Sequence, residues 1–412
     1  MRQRERWIRA AALGTCGSLA LVGASAAAQT TIAPLVGGED PEYEIAPISA
    51  GPFRITPRIE ASIEFDDNVL ASPAGTEVDD IEYIVRPELG IRVGDNEFRV
   101  DLEAFGQFSR FNDFTTENSD TYGASLSGSY SPERGTRLTS EVGFARLAED
   151  RGDPEARNIA GPGPRLIDEF FSNLRFRREG GRLLVDVEGE VRKLDAISAI
   201  DADRDFTTIG GRATLGYRVS GPVYATVTGF VSQRDFVLPA TVTEPDRDAT
   251  TYGGRVGLSF VDSERVRGRI GVGIFQFDPQ DLRLDERTGL SIDASVALLL
   301  NRRNAIIIDG FRGDVATFRQ GAQARTDTRF SVVGQIEMRH NFYGRVGLRY
   351  RNSEFIGSGI NEETYGPTIA LEFLANRNLS LLAQASVAER TSQNAAEEFE
   401  RFRTSLTALI RF

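Results

Sequence analysis

The 412-residue chain is poorest in the residues that carry covalent and metal chemistry. It has one Cys, one His, two Met and one Trp, and Lys193 is its only lysine. A single cysteine excludes a disulfide framework. One Cys and one His leave no ligand set for zinc and no thiol–imidazole pair for catalysis. No internal stretch reaches the ~18 consecutive apolar residues of a transmembrane helix. Lys+Arg 48 against Asp+Glu 60 gives net −12, which disfavours a nucleic-acid partner. No Gly-rich loop leads from a strand into a helix, so the glycines make no nucleotide site.

Residues 1–28 have the form of a secretory signal. Arg2, Arg4, Arg6 and Arg9 form a basic start, residues 10–22 an apolar core, and Ala26-Ala27-Ala28 an A-x-A cleavage pattern. Cys16 would leave with this segment. Residues 29–53 lack periodicity and read as a flexible periplasmic lead-in.

From residue 54 to 412 one pattern dominates: apolar and polar residues alternate, the period of a β-strand. Ile59, Ala61, Ile63 and Phe65 share one face, with Arg58, Glu60, Ser62 and Glu64 opposite. Leu183, Val185 and Val187 oppose Asp186, Glu188, Glu190 and Arg192. Eighteen such segments begin near residues 54, 81, 97, 119, 136, 168, 182, 206, 222, 249, 264, 288, 304, 326, 342, 363, 378 and 400. The sixth and thirteenth are the weakest, and 16 is the alternative count. Short gaps such as Glu179-Gly180-Gly181 and Ser220-Gly221 take turns with long ones such as 148–167 and 235–248. This is the spacing of an antiparallel up-and-down meander.

Segment lengths fit the ~9–11 residues that cross a bilayer at a tilt. In lipid each backbone N–H and C=O must be paired within the sheet, so the sheet must close. The expected fold is all-β: a transmembrane up-and-down antiparallel β-barrel of about 18 strands, with short periplasmic turns and long extracellular loops. Tyr83, Phe108, Tyr130, Tyr217, Phe260 and Tyr350 lie near segment ends, where an aromatic girdle is expected.

The chain ends Leu406-x-Ala408-x-Ile410-x-Phe412. A final Phe412 after alternating apolar residues resembles the signal read by the outer-membrane barrel assembly machinery. The opening Phe65-Asp66-Asp67-Asn68-Val69, then Arg86-Pro87-x-Leu89, then Phe412 resemble the beta-barrel porin family found beside exopolysaccharide gene clusters. The resemblance covers 54–412. It implies an outer-membrane exit for secreted polysaccharide, with a periplasmic polysaccharide export protein as partner.

A barrel of 16–18 strands leaves an aqueous lumen. Arg255, Arg265, Arg267 and Arg269 fall on neighbouring polar faces, as do Arg329, Arg339, Arg345, Arg349 and Arg351. Asp101, Glu103, Asp186, Glu188 and Glu190 supply acidic stretches. These are the candidate lumen-lining residues. They would guide an anionic solute or, more simply, pair across strands and keep the lumen wet. Asp150, Asp153, Glu155 and the Asp201-x-Asp203-x-Asp205 run make the outer loops acidic. That run lacks the remaining ligand spacing of a calcium loop, so a solvated acidic face is expected and no metal or cofactor site is assigned. His340 falls at a short turn with no nucleophile beside it, so no catalytic residue is assigned. The expected function is a passive outer-membrane conduit of a Gram-negative bacterium rather than an enzyme, with outer-membrane lipid around it. A general diffusion porin and a non-conducting structural barrel are the alternatives. Some long loops could fold inward as a plug, and residues 148–167, with Gly161-Pro162-Gly163-Pro164, are the obvious candidate.

Overall fold

In the computed structural model the described residues are 43, 46–156, 163–238, 245–261, 263–319 and 321–412. The signal expected at 1–28, most of the lead-in, and Gly161 and Pro162 lie outside them.

The fold is a closed antiparallel barrel preceded by a short hairpin strand. β1 (Ile48–Ala50) folds back on β2 (Phe53–Asp66). Then come β3 (Asp80–Gly94), β4 (Phe98–Phe111), β5 (Ser119–Tyr130), β6 (Thr136–Ala148), β7 (Leu166–Gly180) and β8 (Leu183–Ala196). β9 (Phe206–Ser220), β10 (Val223–Phe236), β11 (Ala249–Phe260), β12 (Val266–Pro279), β13 (Arg287–Leu299) and β14 (Asn304–Val315) continue the meander. β15 (Ala324–Arg339), β16 (Phe342–Ile356), β17 (Ile360–Leu374), β18 (Leu379–Ser392) and β19 (Phe399–Arg411) complete it. β19 pairs with β2 from Arg403↔Asp66 to Arg411↔Arg58, closing the wall at 18 strands and excluding 16. All 18 begin within three residues of the expected positions.

Alternation decides which face meets lipid. Leu215, Val227, Val256 and Ile274 are each more than 60% exposed, as no soluble core would leave them. Tyr83, Phe108, Tyr130 and Tyr217 stand on the same outer face, and Tyr350 meets Tyr365 with ring centroids 5.1 Å apart. The inner face is polar: Arg175, Asp186, Glu188, Asp293 and Gln335 are all buried there.

Glycine has a defined place on the inner wall. Phe105, Phe171, Phe230 and Phe275 each lie directly across from a glycine on the next strand: Gly123, Gly143, Gly253 and Gly289. A Cβ on Gly123 would stand 2.7 Å from Phe105 Cε1, and one on Gly253 2.6 Å from Phe230 Cζ. The other side of two rings is covered by a guanidinium: Arg86 lies 4.4 Å from the Phe105 centroid and Arg255 4.2 Å from that of Phe230. The rings are thereby held between wall and cation rather than free in the lumen.

The wall departs from a plain cylinder at one place. The β13–β14 ladder stops at Ile292↔Arg312, so residues 287–291 have no partner on that edge. Beyond it the tips of β14, β15 and β16 turn into the barrel. Asp314, Thr326 and Glu354 belong by alternation to the outer face, yet they meet the inner wall of β10–β13. Asp314 takes Arg234 Nη2 at 2.7 Å and Thr251 Oγ1 at 2.9 Å, and Arg287 Nη1 donates to Thr326 at 2.6 Å. Ala324 packs with Phe275, Phe277 and Ala249. Val315 and Ala316 pack with Ile167, Leu194 and Phe206, on strands well round the ring.

Gly289→Ala should lower barrel stability by about 1–3 kcal/mol, because its methyl would fall within the contact radius of the buried Phe275 ring. The urea midpoint in lipid vesicles reads this, and Phe275→Leu in the same chain should restore much of the loss.

Candidate functional site in the extracellular half of the lumen

The wall charges singled out from sequence are mostly paired. Arg255 Nη1 and Arg269 Nε both reach Asp293, at 3.3 and 3.1 Å. Asp186 accepts Arg175 through two bonds of 2.8 and 2.5 Å. Glu188 takes Arg212 and Asn173, and Glu372 takes Arg345. Arg351 meets Asp327 at 2.8 Å, while Arg329 lies 4.5 Å from the Phe311 centroid. Arg92 and Arg99 share Asp101. Arg267 Nε donates to the Ser263 carbonyl at 3.3 Å. Arg265 is a correction: β12 starts one residue after it, and its side chain is exposed at the periplasmic turn rather than on the wall. Arg349, Glu103 and Glu190 face the lumen without an ion-pair partner among the described residues. Arg339 ends β15 at the periplasmic turn before His340. Phe412 lies on the outer face, its N–H donating to the Pro57 carbonyl at 3.2 Å.

The densest charge chemistry lies elsewhere, where the β6–β7 loop crosses the extracellular mouth. Residues 149–156 run from β6 to β15, nine strands round a ring of 18. On the way they touch β18 and β19. Arg401, buried, clasps Asp66 at 2.5 Å and Asp150 at 3.0 Å. Arg403 reaches Asp150 at 3.3 Å, and Arg390 donates to the Gly152 and Asp153 carbonyls. On the far wall Arg325 meets Glu155 at 3.0 Å. Glu155 also accepts the Thr317 hydroxyl at 2.6 Å and the Phe318 N–H at 2.8 Å, both on the inturned β14–β15 tip. Arg319 on that tip donates to the Pro154 carbonyl at 2.9 Å and meets Glu397 at 2.7 Å and Glu362. Near the loop's origin Glu149 takes Arg165 and Arg204, the latter at 3.0 Å. Arg151 meets Glu117 at 2.8 Å. Phe318 packs on Phe206 and Phe236, centroids 5.5 and 6.0 Å away. The loop and the tip are therefore bonded to each other; a gap bordered by Glu149, Asp153, Glu155, Phe318, Arg325 and Arg351 measures ≈ 30 Å³, room for about two waters.

Two expectations change here. The acidic outer loops are not a solvated face: Glu155 and Asp201 are buried, and Asp150 is nearly so. Asp201 meets Arg165 at 3.0 Å and Asp205 accepts the Ala196 N–H, so these carboxylates hold the chain to itself. The inturned β14–β15 tip was not foreseen at all. Its polar outer face resembles any residue row just above a membrane, and only the broken ladder distinguishes it.

Comparison with known proteins agrees with this architecture. Residues 40–412 match the sequence family described as "Putative beta-barrel porin 2". The chain belongs to that family. It is an outer-membrane, porin-like barrel. Among solved structures, OccK2 (OpdF) of Pseudomonas aeruginosa is 10% identical with TM-score 0.47, over 87% of this chain and 98% of that one. The outer membrane protein opdK of Pseudomonas aeruginosa gives 10% and 0.47, over 87% and 99%. The copper transporter OprC gives 12% and 0.44 over 86% of this chain, which spans only 63% of OprC's length. No curated protein matches.

Burial sets the electrostatics of the crossing loop. Desolvation pushes the Asp153 carboxyl up to about 7, with Asp150 and Glu149 adding to the rise and Arg351 and Arg390 opposing it. Its Oδ2 is shielded and has no hydrogen bond. Desolvation also raises Glu149, and lowers Arg204. A carboxyl raised in the docked loop keeps a proton that the free loop releases near 3.8. The contribution of Asp153 to docking is thus greatest at low pH and is lost as pH climbs from about 4 through about 7. Hydrogen exchange of residues 149–156, corrected for intrinsic amide rates, should show the loop less protected at pH 8 than at pH 5.5. Asp153→Asn should flatten much of that difference.

Proposed function

We propose that this porin is a plugged exit conduit for an exported polysaccharide, opened when a periplasmic export protein engages it. The observation that carries the reading is a mouth crossed by two segments bonded to each other and to the wall. The wide polar lumen of an 18-stranded barrel is crossed at its outer end by two segments. Side chains, not the strand ladder, hold the loop in place. Displacing it costs ion pairs and leaves the barrel wall intact. A diffusion porin needs such a loop only to narrow its pore, whereas an exporter needs a barrier to retain periplasmic contents between polymers. The charged but largely paired wall suits a hydrated chain, since it offers water-like contacts without a deep binding trap. The passage is passive, and no bond is made or broken in it. The chain would reach the outer membrane of a Gram-negative bacterium by a signal in residues 1–28, with Phe412 read during assembly.

The test is polymer flux. Proteoliposomes holding barrel that lacks residues 150–156 should release an entrapped dextran of a few kilodaltons, while wild type retains it. Retention by both, with both shown to be folded by heat-modified gel mobility, would point to a structural barrel. Release by both would point to general diffusion.

A further inference from the structure

The periplasmic end of the lumen carries a feature that the plug does not use. Arg54 on β2 stands directly opposite Arg92 on β3. Like charges paired across strands destabilise a sheet. Arg99, on β4, joins them: the three guanidiniums border one cleft of ≈ 170 Å³ with Gly94, Asp95 and Asn96 of the β3–β4 turn. By strand alternation all three are on the lumen side. Compensation is thin. Arg92 and Arg99 share the single carboxylate of Asp101. Arg54 has no ion-pair partner among the described residues. Arg99 spends its Nε on that carboxylate, 2.8 Å from Asp101 Oδ2. The Asp95 carboxylate is occupied by the turn itself, accepting the Glu97 and Phe98 N–H groups at 2.9 and 3.0 Å.

A wall that sets two arginines face to face, adds a third and leaves room between them is built around an anion. We propose that this cleft is a binding site for a carboxylate- or phosphate-bearing sugar at the periplasmic mouth, the first contact of an acidic glycan with the barrel. Planar carboxylate and tetrahedral phosphate both match the guanidinium fork, and an anion between Arg54 and Arg92 turns their repulsion into two charge-assisted hydrogen bonds. The site's existence is independent of the exit function; its reading as a cargo site rests on that function.

The experiment is calorimetric titration of the refolded full-length barrel at low salt with trigalacturonate and with maltotriose. Trigalacturonate should bind, more weakly as salt rises, and maltotriose should not. Arg54→Gln with Arg99→Gln should weaken trigalacturonate by about tenfold or more. Arg302→Gln with Arg303→Gln, at another periplasmic turn, should leave it unchanged. Equal binding of the two sugars, or equal loss in the two double variants, would overturn the site. A lipid source of the anion is separated by repeating the titration in phosphatidylcholine vesicles with and without phosphatidylglycerol. If phosphatidylglycerol alone abolishes trigalacturonate binding, the cleft holds a lipid headgroup and the cargo assignment is wrong. Binding without dextran release from the loop-deleted barrel would defeat the exit function and leave the cleft standing. Release without binding would do the reverse.

Discussion

The constraint on which everything else depends is that a peptide group in hydrocarbon cannot go unpaired. An orphaned N–H or C=O there costs several kcal/mol, so strands that enter a bilayer must find partners on both edges. The β19–β2 ladder is how this chain meets the constraint. Once the wall is closed, its two faces have different solvents, and each residue's alternation decides which it sees. The exposed valines and leucines outside and the buried Arg–Asp pairs inside are two consequences of one ladder.

That constraint also locates the freedom in the molecule. Residues 287–291 lose their partner where the wall reaches its extracellular rim, and there the β14–β15 tip leaves the cylinder and enters the mouth. Its Phe318 binds it to β9 and β10 through apolar packing, while Thr317 and Arg319 bind it to the crossing loop through polar bonds. The two segments differ in how they are held. The tip is anchored by an aromatic cluster, which is insensitive to salt and pH, as well as by the Arg234–Asp314 and Arg319–Glu397 pairs. The loop is anchored by carboxylates and guanidiniums, which respond to both, although burial shields them from much of the screening that weakens surface pairs. The loop, which has no aromatic anchor of this kind, depends on them more than the tip does.

Strand positions were legible in the sequence because period two and turn residues are local signals. The faces of Leu183, Asp186 and Glu188 follow from alternation alone, and so does the polar lumen. The tendency of the long β6–β7 segment to fold inward was legible from its length and its glycine-proline content. Its partners were not. Glu155 meets Thr317 and Arg325, 162 and 170 residues away, and Arg401 bridges Asp66 and Asp150 from the opposite end of the chain. Nothing in the spacing of those residues links them, because the closed ring, not the sequence order, makes them neighbours. The acidic loops were misread for the same reason: an acidic run looks solvated until the arginines that neutralise it are brought alongside. The Arg54–Arg92 pair was hidden differently, since its oddity exists only once the register between β2 and β3 is known.

The central claim is that the isolated barrel is shut by a loop held through ion pairs. Single-channel recording of the refolded wild-type protein in a planar bilayer tests it most directly. Silence from wild type at 0.1 M KCl, with steady conductance once residues 150–156 are removed, is the expected result. A large, steady conductance from wild type at 0.1 M KCl would contradict the claim.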